Sequence, residues 1–305
     1  MALVTGQVYS LANLLEPQDS VTFYATGSLL ALVLLVLGLL ASFFHLGHPE
    51  RAWRAASQWR TSWLSREVIA LPVFMGLVAL YGGAHYFGFT RPWLVVKGQL
   101  PIDATLVLGT LGVFAALVLF ACTAMIYASL RFLQEWHSAL TVTNFILFGL
   151  ASGFTLAAAF SAWSGVQLVG FFGTWAVIFT LFAAITRGFS IYRNGRIKHR
   201  SNLRSAIGVR HTTIRQKSMG FMGGSFNTRE FFHGAGKGTL RFVRLFFVLT
   251  VFLVPVGLLA ASNALQSAYL PMLAFAVQYI GLMAERWYFF AEAKHPQNLY
   301  YQSVA

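Results

Sequence analysis

The sequence predicts an all-α integral membrane protein: a polytopic bundle of about seven transmembrane helices forming one domain over residues 1–305. Three observations predict it. Of the 305 residues, 57% are hydrophobic and only 10% charged, with a mean hydropathy of +0.64, a balance outside that of water-soluble domains. The apolar residues fall in separate runs of about 20, the length that crosses a bilayer as a helix. The basic residues gather in alternate connections between those runs.

Each element follows from composition. Residues 1 to 20 are weakly apolar, include Pro17 and carry Glu16 and Asp19 without a Lys or Arg, so they are expected neither to span nor to act as a secretory signal. The first span is expected from Val21 to His45. Pro49 and Arg51, Arg54, Arg60 and Arg66 then hold the chain at the membrane surface, with Trp53, Trp59 and Trp63 as headgroup anchors. Spans two to four are expected from Glu67 to Phe87, Asp103 to Leu130, and Ala139 to Trp163. Ser164 and Gly165 turn tightly into a fifth, Val166 to Thr186, which makes the fourth and fifth antiparallel neighbours. From Arg187 to Thr239 the chain becomes basic, polar and Gly-rich, and reads as one long extramembrane loop. The sixth span is expected from Leu240 to Ser262 and the seventh from Tyr269 to Phe290, and no internal repeat is visible.

Charge sets orientation and excludes several functions. Of the 22 Lys and Arg residues, 20 fall on one side of this topology and 2 on the other, so the positive-inside rule puts the basic loop and the C-terminus in the cytoplasm. The formal charge of +13 is thus a topology signal and a surface for anionic lipid or an acidic partner, with no nucleic acid implied. The single cysteine, Cys122, excludes a disulfide framework and a cysteine-ligated cluster within this chain. Ion pumping needs charged groups near the midplane, which these spans lack. Thr143, Asn144, Gln278 and Tyr279 read instead as partners for hydrogen bonds between helices. No histidine lies deep in a span, and His85 falls near the surface opposite His45 and His137, so haem is not expected. Gly234 to Thr239 lacks the Lys-Ser/Thr pair of a phosphate loop.

The stretch that carries chemistry is Phe43 to Glu67. It delivers His45 and Glu67 to one membrane surface, an imidazole and a carboxylate at the ends of consecutive spans. Both have ordinary roles open to them, His45 on the last carbonyls of its helix and Glu67 in the first turn of a helix that Ser65 caps. They also meet the needs of quinol oxidation, which releases two protons along with two electrons and requires acceptors for two hydroxyls and a proton exit. Arg51, Trp63 and Arg66 would shape the mouth of such a site. Two other readings are a structural tether that recruits a soluble enzyme through the basic loop and a small-solute transporter.

His45-Leu-Gly-His-Pro-Glu-Arg-Ala, followed by Ser62-Trp-Leu-Ser-Arg-Glu67, resembles the membrane-anchor subunit of the dimethyl-sulfoxide reductase family. Tyr127, Trp136, Gly149 and Gly153, and the ending Glu285-Arg-Trp-Tyr-Phe-Phe with His295-Pro-Gln-Asn-Leu-Tyr, extend the likeness. The resemblance implies an anchor without haem, in the bacterial inner membrane, that oxidises menaquinol or ubiquinol in anaerobic electron transport. It implies as partners a ferredoxin-like subunit with four iron–sulfur clusters and a molybdopterin catalytic subunit. In that family the histidine and glutamate matching His45 and Glu67 are implicated in quinol binding. Two departures stand out: family members commonly have eight spans, with Leu3 to Leu11 resembling the end of a further helix, and the basic insertion is long. These residues allow electron flow in either direction.

Overall fold

The computed structural model describes residues 1–44, 46–96, 100–198, 202–211, 213–214 and 237–294. It is a helical bundle. A short helix α1 (Ala2–Leu11) precedes α2 (Ser20–Phe43), whose first turn, Ser20–Ala25, is π-helical. Asp19 starts α2 by accepting from the backbone N–H groups of Val21 at 3.0 Å and Thr22 at 2.6 Å. A 3₁₀ helix, Pro49–Ala56, leads to α3 (Trp63–Tyr86), capped by the Ser62 hydroxyl on the Ser65 N–H at 3.4 Å. The cap is therefore Ser62, not Ser65, and Glu67 lies in the second turn. α4 (Ala104–Ala128) starts at Asp103 and α5 (Ala139–Trp163) at Ser138.

After Gly165, at a φ of 70°, the chain enters α6 (Val169–Asn194), which runs about two turns beyond the expected end of the fifth span at Thr186. The basic segment therefore starts later than Arg187. Most of it, with His295 at the other end of the chain, lies outside the described residues; within it a one-turn helix, α7 (Leu203–Ile207), is capped by Asn202. α8 (Gly238–Leu265) contains a π-helical turn at Leu249–Leu253, and α9 (Tyr269–Glu292) is the last described helix. Between α3 and α4 an antiparallel pair, β1 (Leu94–Val96) and β2 (Leu100–Ile102), adds a small hairpin to the all-α expectation.

Six described helices, α2 to α6 and α8, are long and apolar enough to cross a membrane. α9 matches the seventh expected span in extent, but Gln278, Glu285, Arg286 and Glu292 make it more polar. The packing is pairwise, α3 on α4, α5 on α6 and α8 on α9, with α4 and α9 both against α5. Small residues permit close approach: a methyl at Gly149 would meet the Phe120 ring at 2.5 Å, and one at Gly281 would meet Thr250 Oγ1 at 2.5 Å. Asn144 and Gln278 make the expected bonds between helices, Asn144 with Ser190 and Thr186 on α6, and Gln278 with Thr180 on α6 and the Val251 carbonyl on α8. Thr143 instead bonds its own helix at Ala139.

Candidate functional site

The ends of the helices define two faces. On one, α3 begins, α4 ends, α5 begins, and α6 and α9 end. This face gathers the chemistry.

His45 lies outside the described residues, so only the Glu67 half of the expected pair is visible. Glu67 is half-buried on α3 and accepts a hydrogen bond from the Thr123 hydroxyl of α4 at 2.6 Å. The same hydroxyl lies 3.0 Å from the Leu119 carbonyl of its own helix. A hydroxyl has one proton and two lone pairs, so Thr123 serves Glu67 in both of its charge states. Facing a carboxylate, it donates to Glu67. Facing a carboxylic acid, it accepts from Glu67 and turns its own proton to Leu119. A proton can thus arrive and leave without stranding a polar atom.

Trp63 and Arg66 are brought together, but with the loop. The Arg66 guanidinium stacks on the Trp63 ring at 4.2 Å and donates to the carbonyls of Trp59 at 2.9 Å and Arg60 at 2.8 Å. This closes the turn that feeds α3. Arg51 is exposed and paired with Glu50 at 3.6 Å, while His48 Nδ1 approaches the same carboxylate at 3.1 Å. Trp53 and Trp59 are exposed, with Arg54 and Arg60 over their rings, as headgroup anchors would be.

Beyond Glu67 on this face, the Tyr127 ring is surrounded by Trp136, Phe145, Phe289 and Phe290, with ring centroids 5.3 to 5.6 Å away. Trp136 donates from its indole to the Phe289 carbonyl at 3.0 Å, tying the α4–α5 turn to α9. Behind this aromatic box lies an ionic cluster that sequence reasoning missed. Arg187 is 3% exposed and Glu285 fully buried, with Nε to Oε1 at 2.8 Å. Arg286 reaches the other Glu285 oxygen at 2.7 Å and lies over Phe145 at 4.1 Å, and Glu292 stands 3.8 Å from Arg187. Glu135, Asn144, Ser190, Arg187 and Glu285 line a polar cavity of about 10 Å³, the size of one water molecule. The available signal was Glu285 itself: a carboxylate in an apolar span needs a cation, and Arg187 is the first one beyond the fifth apolar run.

His137 exposes its imidazole on the same face and holds the Ala128 carbonyl through Nδ1 at 2.6 Å. It edges an open recess of about 620 Å³ along the α4–α5 seam, walled by Met125, Ala128, Ala139, Val142 and Thr143. Among the described residues, no group of three or more His, Cys, Asp or Glu is placed to hold a metal ion.

The model of one protein family, described as "DMSO reductase anchor subunit (DmsC)", matches residues 8–290. The chain is 58% identical to a sulfite dehydrogenase subunit of Allochromatium vinosum over 305 residues, all of this chain and 94% of that protein. It is 27% identical to an anaerobic dimethyl sulfoxide reductase chain of Haemophilus influenzae over 129 residues, 42% of each protein. With the anaerobic dimethyl sulfoxide reductase chain YnfH of Escherichia coli it shares 32% identity over 128 residues, 42% of this chain and 41% of that one. No solved structure matches it.

Proposed function

Since this chain belongs to the DMSO reductase anchor subunit family, and is thus the membrane anchor of a molybdopterin oxidoreductase complex, we propose that it exchanges electrons with the quinone pool at the Glu67 face. The relative matching the whole chain is a sulfite dehydrogenase subunit, which favours a complex that oxidises sulfite over one that reduces a sulfoxide. Quinol oxidation, the direction implied by the family resemblance, then gives way to quinone reduction. Sulfite and water yield sulfate, two protons and two electrons; the quinone takes up two electrons and two protons to become quinol. The partners under this reading are the molybdopterin subunit, where sulfite is oxidised, and a ferredoxin-like iron–sulfur subunit that brings the electrons to this face. Menaquinone and ubiquinone both suit the chemistry.

The observation that carries the proposal is the Glu67–Thr123 hydrogen bond, a half-buried carboxylate at a membrane surface whose partner accommodates both charge states. Glu67 gives a proton to one quinone oxygen as negative charge develops there, and His45 serves the other oxygen. Arg51, Trp63 and Arg66 belong to the surrounding surface, and Arg66 acts by holding the turn before α3.

The test uses membranes containing the assembled complex and compares two acceptors. Sulfite-driven reduction of a water-soluble dye needs only the catalytic and iron–sulfur subunits, whereas reduction of a quinone analogue also needs the anchor. Glu67→Gln is expected to leave the dye reaction intact and to cut quinone reduction by about 100-fold, the scale of losing a general acid. Equal quinone rates in variant and wild type would refute the assignment and leave the chain as a tether.

A further inference from the structure

The opposite face of the bundle holds a second buried polar constellation. His85, in the last turn of α3, is 2% exposed. Its ring stacks on Tyr24 of α2 at 4.6 Å and meets the edge of Tyr81 at 4.7 Å. Ser20 Oγ lies 3.1 Å from its Nδ1. Beside it, Asp103 accepts from the Leu106 N–H at 2.8 Å and from the Thr105 hydroxyl at 2.7 Å. Gln7 of α1 donates to Thr105 at 2.6 Å and accepts from the Tyr81 hydroxyl at 2.9 Å. Gln7, Tyr81, Asp103 and Thr105 are all buried, and four elements meet in this network. One atom stands outside it: His85 Nε2 is enclosed and has no partner among the described residues.

A buried ring nitrogen without a partner points to a small hydrogen-bonding ligand, and in protein interiors that ligand is ordinarily an ordered water. We propose that His85 is a proton-exchange site serving the face opposite Glu67, with one ordered water on Nε2 linking the imidazole to the aqueous phase there. The Nδ1–H donates to Ser20 Oγ, which leaves the Nε2 lone pair to accept from the water. A hydronium ion at that position transfers its proton to Nε2, giving imidazolium and neutral water, and the new N–H donates back to the same water. No bond other than the transferred proton's changes.

The titratable groups around the ring are Asp103 at the start of α4, Tyr24 from α2, Tyr81 from α3 itself, and Asp19 next to Ser20. Asp103 is kept in place by its hydrogen bonds from the Leu106 N–H and the Thr105 hydroxyl. This site stands on its own geometry and needs no quinone chemistry.

Nuclear magnetic resonance of the full chain, labelled with ¹⁵N-histidine and reconstituted with uniform orientation in vesicles, tests it. The His85 signal is assigned by its loss in His85→Gln, and the unfolding temperature of that variant shows whether it folds. The expected result is a neutral Nδ1–H tautomer with magnetisation exchange to water. Acidifying only the compartment on the His85 side converts it to imidazolium, while acidifying the Glu67 side leaves it unchanged. Asp103→Asn, which retains the side-chain oxygen that starts α4, lowers the imidazolium fraction at a fixed acidic pH. Absence of exchange with water, a ring that stays neutral on acidification, or titration that follows the Glu67 side would each overturn the proposal.

Discussion

Replacing Glu285 by Ala isolates the energetics of the ionic cluster. Glu285 is fully buried and its two oxygens hold Arg187 at 2.8 Å and Arg286 at 2.7 Å. Arg286 has 30% of its side chain exposed and can turn to water or headgroups. Arg187 is 3% exposed and would keep Glu292, at 3.8 Å, and the Phe247 and Tyr288 rings, each at 5.8 Å, so the loss falls mainly on Arg187. Removing one partner of a buried ion pair costs about 3–5 kcal/mol, because the surviving charge is stranded. Reversible unfolding of the purified chain, followed by circular dichroism in mixed micelles with increasing denaturing detergent, reads that loss directly. Replacing both residues, Arg187→Met with Glu285→Leu, removes the stranded charge and is expected to recover most of the stability that Glu285→Leu alone loses, so the cycle with these two single variants gives a coupling energy of several kcal/mol. The reasoning fails if Glu285→Ala costs less than about 1 kcal/mol, or if the double variant loses as much as the two single variants together.

Three further outcomes follow from the same contacts. Thr123→Val keeps the shape beside Glu67 but removes its hydrogen bond, and a bond to a charged group contributes about 1.5–3 kcal/mol; quinone turnover is expected to fall at least tenfold with dye reduction unchanged. Gly149→Leu drives a side chain into the Phe120 ring, which a Cβ alone would approach to 2.5 Å, and is expected to destabilise the α4–α5 contact by about 1–3 kcal/mol, measured by the same unfolding titration. At the start of α2, hydrogen bonding from the Thr22 N–H holds the Asp19 carboxyl below its ordinary value. A carboxylate depressed in the folded state contributes stability above its unfolded pKa and loses it as pH falls through the folded one, so the cap weakens only on acidification. Hydrogen exchange at Thr22 is expected to quicken as pH is lowered below the carboxylate range, relative to a mid-helix amide, and to lose that extra pH dependence in Asp19→Asn.

The sequence made the apolar spans legible because a helix in lipid must be apolar over its whole length, and that constraint is local. Asp103 at a helix start, and Asn144 and Gln278 as links between helices, were readable for the same reason: each is polar where little else is. The end of α6 was not readable. Arg187 looks like the first residue of a basic loop, and only Glu285 and Glu292, brought alongside by folding, let the helix continue to Asn194. The cap of α3 falls one turn before the expected Ser65, because Ser62 and Ser65 are both serines able to cap and only backbone geometry separates them. Glu67 was legible as a candidate, but Thr123 was not, since one threonine on an apolar helix has no local mark that distinguishes it. His85 looked like a surface residue, because the sequence shows that it ends a span and not that α1, α2 and the start of α4 converge there.

Among the described residues, the first spanning helix is buried at one end only. Phe23, Tyr24, Gly27 and Ser28 are its buried residues, and from Leu29 to Phe44 no described residue is buried. At about 1.5 Å per residue, its 24 residues measure roughly 36 Å, against about 30 Å of hydrocarbon in an ordinary bilayer. Such a helix relieves the excess by leaning, and one held at a single end leans like a mast stepped at its foot. The swing is then largest at Phe43, on the face where Glu67 lies. Bilayer thickness becomes a lever on that corner of the bundle, so short-chain lipids will displace it most while the anchored end near His85 stays in register.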